Sequence, residues 1–138
     1  RRMRLWIKEE TEVGDPEEFM EMLVSRIEKI MSHESLDIYV NPTFLPAELQ
    51  DRYDELWTEP RMNRVVRALA DNGIAMEINA VRRIPSLAFI HRAKEEGVRF
   101  TFGTNNTGAD DLFNPSYWLE AIDKCGLTPL DMWKPEKD

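Results

Sequence analysis

The sequence predicts an α/β fold with parallel strands. Three observations carry this reading. Short runs of β-branched and aromatic residues alternate with longer segments whose apolar residues recur every three or four positions. Helix starts and stops punctuate them, with Asp15-Pro16, Thr58 and Pro85-Ser86 ahead of the periodic segments and Gly73, Gly97 and Gly126 behind them. Finally, amide and hydroxyl side chains follow the buried strand patterns directly, where parallel β/α folds collect their function.

Met3–Lys8 reads as a strand, with Arg4 and Trp6 alternating with Leu5 and Ile7. Asp15 is a good N-cap, Pro16 suits the first helical turn, and Glu17-Glu18 favour the positive end of the helix dipole. Phe19, Met20, Leu23, Ile27, Ile30 and Met31 then form one apolar face, and Ser32-His33-Glu34-Ser35 breaks it. Leu36–Asn41 is a strand closed by Pro42. A long loop runs to about Trp57, with one helical turn within Leu49–Leu56. Thr58 caps the next helix, whose stripe is Met62, Val65, Val66 and Leu69 and whose end is Asn72-Gly73.

Ile74–Asn79 is the following strand. Pro85-Ser86 opens a helix through Phe89, Ile90 and Ala93 to Gly97, and Val98–Gly103 is a further strand. After the polar loop Thr104–Asp111, Asn114-Pro115 starts a helix that Gly126 stops. Thr128-Pro129 opens a last turn, and the tail Lys134–Asp138 is charged and frayed. The chain thus divides into an N-terminal strand and helix (1–35), three β/α units (36–133) and a tail (134–138). Right-handed crossovers leave two arrangements open: helices on one side, as in a barrel, or on both faces of an open sheet.

Composition narrows the function. The 138 residues carry 18 basic and 26 acidic side chains, a formal charge of −8, which disfavours nucleic acid as a partner. No run reaches the roughly 20 apolar residues of a membrane span, so a soluble chain without a targeting segment is expected; its compartment is not encoded. With 42% hydrophobic residues and regular periodicity, disorder is excluded as well. One cysteine, Cys125, rules out a disulfide framework and reads as an inert core thiol. His33 and His91 both lie away from the strand ends, so neither suits a metal cluster or a general base there. Arg61, Arg64 and Arg67 repeat at helical spacing and read as one solvated face.

The strand ends gather the candidate site. They offer Asn41 and Thr43, then Glu77, Asn79, Arg82 and Arg83, then Thr104, Asn105, Asn106, Thr107 and Asp110. Asn and Thr are also ordinary turn formers. As site residues, the amides donate and accept, as a hydroxyl-rich or phosphorylated ligand requires, and an arginine can grip a phosphate or carboxylate through two N–H groups.

Three stretches together resemble a known family. Asp37–Pro42, Gly73–Asn79 and Ala93–Asn105, in that order and separation, are similar to the C-terminal half of the polymerase and histidinol phosphatase (PHP) domain. The resemblance spans about Leu36 to Trp133. It implies the C-terminal part of a distorted seven-stranded (β/α) barrel and the chemistry of a metal-dependent phosphoesterase.

The resemblance also marks departures. The family has His where Asn41 stands, an aspartate ligand at Asn105 and a histidine ligand at Thr107. Its opening His-x-Asp-x-His motif has no counterpart here and would precede Arg1. Neutral amides and hydroxyls are poor substitutes for the ligands of a divalent cluster. A weak hard-ion site would have to draw on Glu77, Asp110 and Asp111.

Three functions follow as expectations. The first is a PHP-like domain with a degenerate metal site that binds a polar or phosphorylated small molecule through Asn41, Asn79, Arg82, Arg83, Asn105 and Asn106. The second is an active phosphoesterase with Glu77 in catalysis and its divalent metal held mainly by a preceding N-terminal half. The third is an interaction module, because three strands of such a barrel leave edges and helix faces to be covered by that half or by a second copy.

Overall fold

The computed structural model describes residues 2–4, 11–104 and 114–135. Its strands are β1 (Arg2–Arg4), β2 (Ile38–Val40), β3 (Ala75–Asn79) and β4 (Phe100–Gly103). They form one parallel sheet in the order β1-β2-β3-β4. The helices are α1 (Pro16–His33), α2 (Ala47–Gln50), α3 (Tyr53–Leu56), α4 (Glu59–Asp71), α5 (Leu87–Glu95) and α6 (Ser116–Cys125), followed by a 3₁₀ turn at Pro129–Asp131.

Strand alternation sorts the sheet into two faces. Register aligns Tyr39 with Met76, Met76 with Phe100, and Ile78 with Phe102, so these side chains share one face. Tyr39, Met76, Ile78 and Phe100 join one core with Phe19, Leu23 and Ile27 of α1, Val65 and Leu69 of α4, Phe89 and Ile90 of α5, and Ala121 of α6. The four long helices therefore pack on the same face. Burying that many large apolar side chains, at about 1.5–3 kcal/mol each, is the main force holding helices to sheet.

The opposite face carries Ile38, Val40 and Ala75, against which Trp133 packs. Farther along β3 it carries Glu77 and Asn79, both buried. The segment after the 3₁₀ turn serves both faces. Met132 bridges Phe100 in parallel, and the Trp133 N–H donates to the Phe100 carbonyl at 2.8 Å. Met132 joins the helix-side core while Trp133 covers the other side.

Local chemistry explains the helix ends. The Asp15 carboxylate accepts from the Glu17 and Glu18 amides at 2.8 and 3.3 Å. Thr58 caps α4, and Ser86 caps α5 through the Phe89 amide. Gly126 ends α6 at φ 64°, a backbone conformation in which a Cβ is strained. Thr128 and Asp131 form a capping box.

Three expectations change. The strand predicted over Met3–Lys8 is β1 at Arg2–Arg4, and residues 5–10 lie outside the described residues. The loop after β2 holds two short helices, α2 and α3, instead of one turn. The arginines of α4 are not one solvated face. Arg61 is buried, donating to the Leu56 carbonyl at 2.9 Å and to Glu17 at 2.6 Å. Arg64 bridges Glu21 and Glu28 of α1, and its hydrogen bond holds the Glu21 carboxyl below the usual carboxylate range. Only Arg67 is exposed. The reason is that Arg61 and Arg64 adjoin the apolar stripe and face the acidic side of α1, so their stems cover core while their heads find carboxylates.

Candidate functional site

The carboxyl ends of β2 and β3 bring three of the predicted residues together. The Glu77 carboxylate accepts from the Asn41 backbone N–H at 3.0 Å and from the Asn79 amide nitrogen at 3.2 Å. The same Asn79 nitrogen donates to the Asn41 side-chain oxygen at 3.0 Å. The Asn79 side-chain oxygen accepts the Arg82 backbone N–H at 2.9 Å. Asn79 is 0% exposed and Glu77 7%. An uncompensated buried carboxylate or amide would cost several kcal/mol, so the cluster persists because its members satisfy one another.

Two backbone features let this cluster form. Asn41 has φ 48°, a left-handed value that Asn tolerates better than most residues, and this turns its N–H onto Glu77. Gly103 lies against the Glu77 carboxylate, and a Cβ there would come within 2.1 Å of Glu77 Oε2. The neighbouring strand is therefore open to this carboxylate only because position 103 has no side chain.

From Asn79 the chain turns into the segment that carries Arg82 and Arg83. It folds back so that the Asn79 N–H reaches the Ile84 carbonyl at 2.8 Å. Arg83 has φ 56°, a strained value for a bulky side chain. The Arg82 guanidinium lies over the Phe44 ring, 4.5 Å from its centre, and that of Arg83 over the Tyr117 ring at 4.8 Å. Arg83 also pairs with Glu120 at 2.9 Å. Both arginines are exposed. They line an open cleft of about 710 Å³ together with Phe44, Tyr53, Val81 and Tyr117.

A hydroxyl network lies beneath the cleft. The Tyr39 hydroxyl accepts from the Thr43 N–H at 3.0 Å, and the Thr43 hydroxyl meets that of Tyr53 at 2.6 Å. Tyr53 also accepts the Ser86 N–H at 3.1 Å, and the Tyr117 hydroxyl donates to the Pro85 carbonyl. Thr43, at φ 70° and 1% exposed, is the hub. A β-branched residue holds that backbone only where its surroundings fix it. Burial pushes the Tyr53 hydroxyl up to about 12 and raises those of Tyr39 and Tyr117 still further. Tyr53 also lines the cleft.

The predicted site residues thus take different parts. Arg82 and Arg83 face the cleft. Asn41, half-buried, and Glu77 belong to the polar cluster behind it. The Asn79 amide, expected to meet a ligand, is fully buried, and its oxygen ties the arginine segment to the sheet. Asn105, Asn106, Thr107, Asp110 and Asp111 lie outside the described residues.

Phe44, Tyr53 and Tyr117 escaped the sequence reading. Their only sequence signal is a tyrosine on each of two helical patterns and an aromatic just past a strand end. Cys125 is buried, with its thiol pushed up by that burial.

The donors described suit hydrogen bonding better than metal binding. Among the described residues no three His, Cys, Asp or Glu side chains gather around one point. Among the described residues Glu77 is the one carboxylate of the polar cluster, and one of its oxygens already serves two N–H donors. This set does not fit a divalent cluster. Also among the described residues, no helix is long and apolar enough to cross a membrane. Comparison with protein-family models, with curated proteins and with solved structures gave no significant match.

Proposed function

We propose that this chain is a PHP-like β/α domain that binds a phosphorylated or carboxylated small molecule at the carboxyl edge of its sheet, without the family's metal cluster. The observation that carries the reading is the convergence of two ring-stacked guanidinium groups, Arg82 and Arg83, on one cleft of about 710 Å³. That volume lies within the roughly 300–1,000 Å³ common for small-molecule sites. The sequential order of parallel strands, with the long helices on one face, supports the barrel-like part of the reading.

The division of labour follows from the contacts. Arg82 and Arg83 recognise the anion. Stacking on Phe44 and Tyr117 restricts each guanidinium plane, which lowers the entropy lost when its N–H edge meets an oxyanion. Asn79 positions Arg82 from below, and Asn41 and Glu77 hold Asn79. Glu120 competes for Arg83, but an exposed pair is worth only about 0–1 kcal/mol and yields to a phosphate.

Titration with inorganic phosphate and with a small phosphomonoester, followed by calorimetry, tests this. Binding should weaken at least about tenfold in Arg82→Gln and in Arg83→Gln, with the folded spectrum unchanged. Affinity unaltered in both variants would remove the proposal. Asn105→Ala extends the test to the third strand end, where loss of binding without loss of stability is expected.

A further inference from the structure

The walls of the cleft say more about its ligand than the arginines do. A bare phosphate or acetate would engage the guanidinium edges and leave most of the cleft unfilled. The remaining surface is mixed: Val81 and Leu87 with the rings of Phe44 and Tyr117 form an apolar wall, and Gln50, Asp54 and Ser86 form the polar part. Val81 is 63% exposed, a large apolar side chain facing water beside two charged ones. An apolar residue exposed within a concavity is best explained by what covers it.

We propose that the cleft takes an aryl anion, a flat apolar body carrying a phosphate or carboxylate. The anionic end meets the N–H edges of Arg82 and Arg83. The body lies on Val81 and Leu87 and displaces the water they now face. This inference rests on the anion-binding reading above and adds the ligand's other half.

The test compares four probes on the full chain by amide chemical-shift titration: phenyl phosphate, inorganic phosphate, benzoate and acetate. Phenyl phosphate should bind at least about tenfold tighter than inorganic phosphate, or benzoate than acetate by the same margin. The pair that shows the margin identifies the head group. Val81→Ser, at an exposed position that folding tolerates, should cut the ratio of aryl to simple anion affinity about threefold.

Equal affinities for aryl and simple anions, all weakened by Arg82→Gln, would overturn the inference and leave the anion site standing. An aryl preference indifferent to both Val81→Ser and Arg82→Gln would overturn it by placing the aryl group elsewhere. No binding of any anion would overturn the inference and the anion site together.

Discussion

Glu77 shows how a single side chain depends on what is missing opposite it. Its carboxylate occupies the space a Cβ at Gly103 would need. Gly103→Ala should push it off the Asn41 N–H and cost about 1–3 kcal/mol in urea unfolding, the range for disturbing a buried polar contact. A cost below about 0.5 kcal/mol would mean that the carboxylate moves freely. The sequence made Glu77 and Asn79 visible as residues but not as members of a buried cluster, because the third member, Asn41, lies 38 positions from Asn79.

The tyrosines give a second test at this scale. The chain has three, and burial raises all of them. A hydroxyl that keeps its proton longer when folded contributes stability fully below about pH 10 and loses it as pH rises through the folded value. For Tyr53 that window runs from about 10 to about 12. Absorbance at 295 nm should therefore show no tyrosinate step near pH 10 while the circular dichroism stays native. A step there in the folded chain would contradict the enclosed hydroxyl network.

Among the elements, α1 and α4 were legible and their clasp was not. Periodicity and caps mark both helices, since each local rule points the same way. The stripe Met62, Val65, Val66 and Leu69 is buried as the spacing requires. Nothing local reveals that Arg61 turns inward, because that depends on Glu17 and on the Leu56 carbonyl across the interface.

The energies of the two partners should differ. Arg61→Ala removes a buried stem and leaves the Leu56 carbonyl short of a donor, costing about 1–3 kcal/mol. Glu17 is 64% exposed, so Glu17→Ala should cost less than about 1 kcal/mol. Denaturation midpoints for the two variants check this, and equal losses would refute the asymmetry. The short helices α2 and α3 were seen only as one turn, since four-residue helices have no periodicity to read.

At the scale of the molecule, the alternation of strands and helices gave the parallel sheet, while the placement of helices was open between one face and two. The core resolves it, because residues from α1, α4, α5 and α6 all meet the Tyr39, Met76, Ile78 and Phe100 face. Polar residues at strand ends pointed to the carboxyl edge of the sheet, where Asn41, Glu77 and Asn79 meet. They did not separate the buried scaffold from the arginine cleft, a distinction that burial and long-range contacts alone create.

The formal charge of −8 repels anions in general, yet at physiological salt that field fades beyond about 8 Å. A guanidinium contact at about 2.8 Å is made well inside that range. Anion recognition at the cleft is the central claim. An amide-resolved titration with inorganic phosphate tests it most directly. Saturable shifts centred on Arg82, Arg83 and their neighbours Val81 and Ile84, weakening with added salt, are the predicted result; shifts absent there, or spread evenly over the exposed amides, would contradict it.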